Sequence, residues 1–376
     1  MTKHKEIGSN KVTYSRNNLE PSHLSSLFFS YLPKDFSSTD LNSGLPCFAA
    51  EFDLLTTMES QTRKRIEKLP FYKFWSRFLK LNTLFIGTTV SEFTPLPDSF
   101  DFNSAAQELT TKAKTNYPLV IVKDLPLKNP LMSANDSDVS SNFVVALERC
   151  GFIKVEGQAL AYVKMDFASV DEYLNRFSKS RRKDFRRKMR HRDELIIDVL
   201  EAGDPLFFDE KALDQYYSLY LQVYQQSEVH FDLLSRDFFV NLLQNSDPSL
   251  RVFTYKTKDN QLIGYNICFI HDKKLVDKYI GFDYPAATNY NLYFLSWFIN
   301  LEYALAHHLE FYVAGWTDPN VKASLGAKFA MTQHAVYIRN PVLRRILNHF
   351  RHHFESDATA IAPKENNTAT SVENNQ

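Results

Sequence analysis

The sequence predicts an α/β (α+β) fold in which a mixed sheet is flanked by helices. Three observations between residues 251 and 338 support this prediction: a series of short β-rich runs, a long apolar helix pattern, and a further strand beyond that helix. Short β-rich runs separated by a few polar residues indicate antiparallel hairpins. A strand reached through a crossover helix lies parallel to the strand before it, so this sheet would contain both kinds of pairing.

The antiparallel part of the sheet comes first. The three β-rich runs are residues 251–257, 262–270 and 275–283. Pro285 follows the third run and ends the pairing, because proline lacks the N–H group that a central ladder needs. Asn289 or Asn291 then suits the start of the next helix, since asparagine side chains accept hydrogen bonds from helix N-termini.

The crossover helix is predicted over residues 291–308, which are apolar on nearly all sides and therefore indicate a buried helix. The run is too short and too polar to span a membrane. A strand over 310–315 follows, and after it come a helix over 320–330 and a strand over 332–338. The ends of two parallel strands beside a helix start form a place where a ligand can enter.

The first half of the chain ends in a similar order of elements. Its strand, helix and two further strands are predicted over 118–124, 142–150, 152–156 and 159–167. Gly151 ends that helix, and aligning it with Gly326 in the later helix nearly aligns the strands that follow, which suggests a duplication. We therefore predict two tandem domains, 21–169 and 170–355, with two unrelated α/β ends as the alternative. The predicted disordered tails are residues 1–20, which are polar, and 356–376, which lack core-forming residues.

The composition limits the partners of the chain. Lys plus Arg and Asp plus Glu both number 44, so the formal net charge is zero and no general attraction to DNA or membranes is implied. Cys47, Cys150 and Cys268 are far apart, which indicates free thiols in a reducing compartment. The sequence shows neither an apolar leader nor a metal-ligand spacing. We expect a cytoplasmic protein without a metal or a transmembrane segment.

Residues 170–345 resemble the GNAT-type acyltransferase domain of FemAB-like peptidoglycan-biosynthesis proteins and of the CelD-like group. The resemblance rests on a basic segment at 173–183, a strand that ends at Tyr279–Asp283, and the later residues Asp318, Lys322, Gly326 and Phe329. It implies a GNAT-like N-acyltransferase of peptidoglycan or cell-envelope biosynthesis, with a degenerate GNAT-like domain in the first half. The donor would be an acyl-CoA, for instance acetyl-CoA, and an acceptor amine would attack its carbonyl group directly.

One departure from the GNAT pattern leaves the donor open. Acetyl-CoA-dependent GNAT enzymes usually carry a glycine-rich loop before the crossover helix, and its N–H groups hold the pyrophosphate. Residues 284–291 contain no glycine. FemAB-like proteins also lack this loop, and those that use aminoacyl-tRNA do not need it. The resemblance therefore also fits an aminoacyl-tRNA-dependent aminoacyltransferase, or a degenerate GNAT-like binding protein without activity.

Strand 275–283 supplies the catalytic candidates. Period-two alternation places Asp277, Tyr279, Gly281 and Asp283 on one face. A buried carboxyl group has a raised pKa and can act as a base towards an amine, so we predict catalytic roles for Asp283, Asp277 and Tyr279. The alternative is that both carboxylates lie solvated at the strand ends.

Donor binding is predicted at Gly281, Asn289, Asn291, Lys322, Arg182 and Arg186. Gly281 would allow close approach of the donor to the backbone, because it has no side chain. Lys322 stands near a helix start, where a cation is disfavoured and a phosphate or carboxylate partner would offset the cost. Arg182 and Arg186 belong to the run 176–192, whose ten Lys and Arg residues suit the phosphates of CoA, tRNA or lipid headgroups in a peripheral membrane contact. Helix caps and a solvated helix face are the alternatives.

Overall fold

In the computed structural model, the described residues form one continuous mixed sheet of eleven strands with helices on both faces, and a separate two-stranded sheet. Residues 14–55, 76–227 and 230–350 are described, together with residues 65, 67, 68 and 70–72. The predicted mixed α/β fold class is confirmed. The antiparallel meander, the crossover helix and the parallel strand beyond it are all present in the predicted order.

The strands, in chain order, are β1 (Tyr14–Arg16), β2 (Ser37–Ser38), β3 (Cys47–Asp53), β4 (Lys80–Ile86), β5 (Leu96–Pro97), β6 (Leu119–Pro126), β7 (Ile153–Lys164), β8 (Leu195–Glu201), β9 (Leu250–Thr257), β10 (Leu262–His271), β11 (Lys274–Phe282), β12 (Phe311–Gly315) and β13 (Lys328–Ile338). The helices are α1 (His23–Ser30), α2 (Phe102–Thr115), α3 (Ala134–Arg149), α4 (Val170–Leu174), α5 (Lys179–Met189), α6 (Glu210–Gln226), α7 (Arg236–Gln244), α8 (Tyr284–Asn289), α9 (Leu292–Ala306), α10 (Pro319–Ser324) and α11 (Pro341–Phe350).

The large sheet has the strand order β2-β3-β4-β6-β13-β7-β12-β11-β10-β9-β8. Each half of the chain contributes one parallel pair, β4 with β6 and β11 with β12. Beside these pairs the halves exchange their last strands, because β13 pairs with β6 while β7 pairs with β12. The two predicted domains therefore share one sheet, and their boundary at residue 170 stays a prediction.

The repeated ending of the two halves is visible in the backbone. Gly151 follows α3 with φ of 88°, and Gly326 follows α10 with φ of 93°. Glycine suits both positions because other residues disfavour positive φ. The two strands predicted over 152–156 and 159–167 form the single strand β7, which continues through Gly157.

The core on one face of the second half packs α4, α5 and α9 against the sheet, through residues such as Leu275, Tyr312 and Phe298. The core on the opposite face packs α1, α6 and α7 against strands of both halves, from Phe48 and Phe85 to Tyr265. Burial of these apolar side chains stabilises the sheet and ties its two halves together.

The predicted N-terminal tail is wrong from Tyr14 onward. Residues Tyr14–Arg16 form β1 and pair with β5. Asn17 and Glu20 are buried, with 2% and 4% of their surface exposed. Asn17 Nδ2 donates hydrogen bonds to Thr94 O and Ser140 Oγ. The prediction was based on the polar composition of the segment, whereas this buried polar side chain is held in place by hydrogen bonds. The predicted tail at 356–376 lies outside the described residues.

Candidate active site

The parallel strands β11 and β12 part after three residue pairs. Lys274, Leu275 and Val276 pair with Phe311, Tyr312 and Val313, and the parallel ladder ends there. A β-bulge lies at the same place, because Asp277 pairs with Cys268 and Tyr279 with Ile267, which leaves Lys278 as an extra residue. Backbone groups and side chains at this point are therefore available for other contacts, as expected where a ligand enters a mixed sheet.

Asp277 lies at the opening between the strands, with its carboxylate held by donors from three neighbours. Asn266 Nδ2 donates to Oδ1 at 3.0 Å and to Oδ2 at 2.9 Å, while Asn300 Nδ2 and Tyr312 OH each donate to Oδ2 at 3.0 Å. The residue as a whole is half-buried, but these donors enclose its carboxylate. Burial raises the pKa of Asp277 to about 6 against the opposing effect of the hydrogen bonds.

Lys322 lies over the end of β12, at the same opening. A Cβ atom on Gly315 would be 3.8 Å from Lys322 Nζ and 3.8 Å from Asp277 O, which places the ammonium beside the end of β12, near the point where the strands part. The residue is 4% exposed, and among the described residues its Nζ has no hydrogen-bond or ion-pair partner. Burial lowers the pKa of Lys322 to about 8, opposed by the charges of Asp277, Glu92 and Asp318. A buried cation without a partner is costly, so this one indicates a ligand.

The bulge residue Lys278 joins a second cluster of buried charges that comes from the first half of the chain. Its Nζ lies 3.1 Å from Glu20 Oε1 and 2.8 Å from Glu92 Oε1, and all three side chains are at most 6% exposed. Glu92 N donates to Glu20 Oε1 at 2.8 Å. The second carboxylate oxygen of Glu92 is buried without a partner. Burial lowers the pKa of Lys278, but the charges of Glu92 and Glu20 more than offset this effect and leave that pKa above its usual value.

The predicted common face of Asp277, Tyr279, Gly281 and Asp283 is not formed, because the bulge at Lys278 interrupts the alternation. Tyr279 packs on the opposite face from Asp277, against Phe238 and Phe239, and burial raises the pKa of its phenol well above 10. Its hydroxyl group is buried without a partner. The structure therefore does not bring Tyr279 and Asp277 together as one catalytic group.

Gly281 also faces away from the opening. A Cβ atom there would lie 2.2 Å from the Tyr265 ring and 2.9 Å from Leu219 Cβ. Tyr265 in turn donates a hydrogen bond to Tyr216 O on α6. The close contact at Gly281 is therefore part of the packing of α6 on the sheet. The predicted donor contact is wrong in direction, because Gly281 faces α6 and not the opening between the strands.

The segment after β11 differs from a phosphate-binding loop. Asp283 is half-buried at the start of α8 without a side-chain capping bond, and Asn289 is exposed at its end. Asn291, one of the two predicted caps, is the N-cap residue just before α9, but it has a left-handed conformation and makes no side-chain capping bond. Ala287 N donates to Asp283 O, and Tyr290 N donates to Ala286 O. These N–H groups are therefore already used by the helix.

The basic run forms α5, which packs on the crossover helix α9 through Phe185 and Phe298. Its end lies at the start of α9, where Lys188 Nζ stands 3.5 Å from the centre of the Phe294 ring. Arg186 forms an exposed ion pair with Asp171 at 3.0 Å, and Arg182 donates to Phe177 O at 3.0 Å. The predicted phosphate contact at Arg182 and Arg186 stays a prediction, with part of each side chain engaged by the protein itself.

Open clefts lie elsewhere on the surface. One of about 560 Å³ lies at the start of β12 and includes Phe167, His308 and Glu310. Another of about 670 Å³ lies between α4, α5 and α9 and includes Asp171, Arg186 and Glu302. Neither is lined by Asp277, Lys322 or Glu92, so the unpartnered buried charges rather than a concave surface locate the candidate site.

The part of the chain that the structure describes contains no group of three or more His, Cys, Asp or Glu side chains arranged to hold a metal ion. No helix within that part has the length and apolar character needed to cross a membrane.

A family model for peptidoglycan biosynthesis/recognition matches residues 102–371, which is more than half of the chain. The chain belongs to the FemAB-like family. The mixed sheet flanked by helices that the sequence predicts for this FemAB-like protein is confirmed. Family and fold together support a transferase, while the type of acyl donor is not established by them.

Solved structures share the fold at low sequence identity. One is the C-terminal domain of a protein provisionally named lysylphosphatidylglycerol synthetase from Agrobacterium fabrum, with a TM-score of 0.50, 13% identity, and 87% of this chain and 88% of that chain covered. Another is L-PGS from Bacillus licheniformis, with a TM-score of 0.50, 12% identity and 94% and 99% covered. FemX matches with a TM-score of 0.48, 12% identity and 89% and 96% covered. No curated protein matches the sequence.

Sequence reasoning missed the contribution of Glu20 and Glu92 to the site. Both are isolated acids in the first half of the chain, without a motif or a spacing that would mark them. They reach Lys278 across more than 180 residues of sequence because the loop before β5 and the segment after β1 fold onto β11. Asn266, Asn300 and Tyr312, which hold Asp277, were also not identified.

We expect Gly281→Val to destabilise the FemAB-like protein by about 1–3 kcal/mol, because the new methyl groups would overlap Tyr265 and Leu219. Urea unfolding followed by tryptophan fluorescence measures the change. A variant with wild-type stability but without donor binding would contradict this expectation and restore the donor contact at Gly281.

Proposed function

We propose that this FemAB-like protein is an aminoacyltransferase that moves an aminoacyl group from the ester of an aminoacyl-tRNA to an amine acceptor. The observation that carries the proposal is the mostly buried side chain of Lys322 beside the point where β11 and β12 part, with an ammonium that has no partner among the described residues. Direct attack of an amine on an ester needs a positive group beside the carbonyl oxygen and an acceptor for the amine proton. A tRNA donor would place the protein in the cytoplasm.

Lys322 is suited to stabilise the negative charge that develops on the carbonyl oxygen. Its ammonium has no competing partner among the described residues, so its hydrogen bonds are available to a ligand. The side chain as a whole is 4% exposed, so few water molecules screen the ammonium, which strengthens its attraction for an anion. A preorganised cation of this kind loses little energy in reorganisation when the tetrahedral intermediate forms.

Asp277 is suited to position and charge Lys322 rather than to remove a proton. Its two oxygens accept four hydrogen bonds from Asn266, Asn300 and Tyr312, which leaves little capacity for a substrate proton. Its negative charge opposes the effect of burial on the pKa of Lys322. The catalytic role that the sequence predicted for Asp277 would thus be indirect.

The segment before α9 favours an aminoacyl-tRNA over an acyl-CoA. In place of a glycine-rich loop it forms α8, whose N–H groups at Ala287 and Tyr290 are hydrogen-bonded within the chain. These two N–H groups are therefore not available to a pyrophosphate, which glycine-rich loops hold through backbone donors. The basic helix α5 beside α9 offers instead an exposed surface for a polynucleotide backbone.

Enzyme-dependent formation of hydroxamates tests the proposal, with hydroxylamine as the acceptor and the full chain as the enzyme. Radiolabelled aminoacyl-tRNA from a bulk tRNA pool and radiolabelled acetyl-CoA serve as separate donors, each corrected for the reaction without enzyme. We expect turnover of aminoacyl-tRNA. Turnover of acetyl-CoA alone would show an acetyltransferase, and no turnover of either would show a non-catalytic binding protein.

We expect Lys322→Met to lower kcat for aminoacyl-tRNA by about 100-fold or more, the usual effect of removing one donor to a developing oxyanion. Its melting temperature should change little, because methionine fills the same space without a buried charge. Lys274→Met is the matched control, since Lys274 is also buried but is paired with Asp272 at the other end of β11. Equal losses in both variants would contradict a special role for Lys322.

The pH dependence should follow the two shifted groups. The pKa of about 8 for Lys322 means that its ammonium is present below pH 8 and is lost above it, so activity should fall on the alkaline side. The pKa of about 6 for Asp277 means that its carboxylate is lost below pH 6, so activity should also fall on the acid side. In Lys322→Arg the alkaline limb should disappear, because arginine stays charged. An unchanged alkaline limb in that variant would assign it to another group.

Charge reversal on α5 should weaken tRNA binding. Lys179 and Lys183 are exposed and lie one helical turn apart, so the double variant Lys179→Glu/Lys183→Glu changes the surface without breaking an ion pair in the described structure. We expect a lower affinity and a shallower dependence on salt, measured by filter binding. Lys114→Glu/Lys128→Glu makes the same change of charge at exposed positions outside α5. Equal weakening in both variants would rule out a specific contact at α5.

A further inference from the structure

Glu92 carries a free carboxylate oxygen at the candidate site. Its Oε1 accepts a hydrogen bond from Lys278 Nζ at 2.8 Å, while its Oε2 is buried without a partner. The residue is 2% exposed. Such an oxygen costs free energy in the folded chain unless a ligand supplies a donor, because burial removes its water without replacing it. Glu92 and Glu20 also precede residues 102–371, the part that matches the family model, so the match itself does not account for them.

Glu92 is near Lys322 but does not pair with it. Its charge is among those that raise the pKa of Lys322, after that of Asp277, so the two groups are close enough to interact. Nevertheless, among the described residues Lys322 Nζ and Glu92 Oε2 each lack a partner. An unpartnered cation and an unpartnered carboxylate oxygen at one opening are complementary to a reacting pair, in which a carbonyl oxygen gains negative charge and an amine gains positive charge.

Glu92 approaches the opening from the face opposite to the basic helix. Phe93, beside Glu92, and Leu19, beside Glu20, pack with Val276 and Val313. Leu275 and Tyr312, which point to the other face of the same strands, pack with α5 and α9. A tRNA on α5 would thus deliver its ester from one face, and the second substrate would meet the ester from the face of Glu92.

We propose that Glu92 binds the ammonium group of the acceptor and takes a proton from it, so that the free amine can attack the ester. This inference rests on the proposed function. The neighbours of Glu92 suit the task, since Lys278 and Glu20 fix one of its oxygens and leave the other free. Asp232, whose pKa is raised by burial, and the neutral Tyr279 hydroxyl also lie near this cluster. The cations that act on Asp232 are Lys123 and Lys278.

The step is balanced with the groups on hand. One proton of the acceptor ammonium passes to Glu92 Oε2, and the amine nitrogen then forms a bond to the carbonyl carbon of the ester. The tetrahedral intermediate, held at its oxygen by Lys322, loses the nitrogen proton that remains in excess and breaks the bond to the ribose oxygen. That oxygen leaves as a hydroxyl group with one of the two protons, and the other returns to the solvent. The products are an amide and free tRNA.

Glu92→Gln tests the assignment with two acceptors that differ in protonation. Methylammonium must lose a proton before it attacks, whereas hydroxylamine is neutral near pH 7 and attacks directly. With bulk aminoacyl-tRNA as the donor, we expect kcat/KM for methylamine to fall by at least 30-fold. The value for hydroxylamine should fall by less than threefold. Equal losses with both acceptors, or no loss with either, would overturn the assignment.

The donor offers a second comparison, because its α-amino group is another ammonium that a carboxylate could bind. Treatment with nitrous acid converts that amino group to a hydroxyl group while the ester remains. With this deaminated donor we expect the same selective loss for methylamine in Glu92→Gln. A loss that disappears with the deaminated donor would assign Glu92 to the donor and overturn its assignment to the acceptor.

The control is Asp272→Asn, which removes a carboxylate from the buried Lys274 at the far end of β11. It should lower stability without selectivity between acceptors. Glu92→Gln should still fold, because Lys278 keeps Glu20 as its counter-ion. If it does not, Glu92→Asp withdraws the carboxylate by one methylene group and should show the same selective loss.

A wild-type chain without transfer activity would overturn the proposed function and this assignment with it, whereas an active wild type with an unimpaired Glu92→Gln would overturn the assignment alone.

Discussion

β7 and β13 pair at the centre of the sheet, and each fills the place beside the parallel strands of the other half. Their backbones come so close that a Cβ atom on Gly157 would lie 3.0 Å from the backbone carbon of Thr332. Thr332 Oγ1 also donates to Gln158 O across this seam at 3.0 Å. The parallel pair β4–β6 lies beside β13, and the parallel pair β11–β12 lies beside β7. The positions of Lys322 and Glu92 relative to each other therefore depend on the pairing of β7 with β13.

The exchange of strands also explains which parts of the architecture were predictable. The meander, the crossover helix and the strand after it have local patterns, so their bounds agree with prediction to within a few residues, as for α9 over Leu292–Ala306. The pairing of β13 with β6, by contrast, joins residues about 200 positions apart and depends on the packing of both halves. No local pattern distinguishes it from two separate sheets.

The same limit applies to the candidate site. Lys322 was identified because a cation near a helix start contradicts the local electrostatics, and such a contradiction is readable in sequence. The arrangement of Asp277 and Tyr279 was predicted wrongly because one extra residue at Lys278 reverses the alternation of the strand. The extra residue pairs with Glu20 and Glu92, which lie more than 180 positions away in the sequence and carry no local pattern that would indicate the contact.

The buried charges are hard to explain by stability alone. Replacing a buried ion cluster by apolar residues is often neutral or stabilising by about 1–4 kcal/mol, so Lys278, Glu20 and Glu92 gain little for the fold by being charged. The cluster nevertheless fixes a carboxylate with one oxygen free of partners, near Lys322, whose mostly buried side chain has no partner among the described residues. Both groups become satisfied if a substrate with a nascent oxyanion and an ammonium lies between them. The free energy that the folded chain loses at this opening is therefore available to bind the reacting groups, and it is available most fully when their charges have developed.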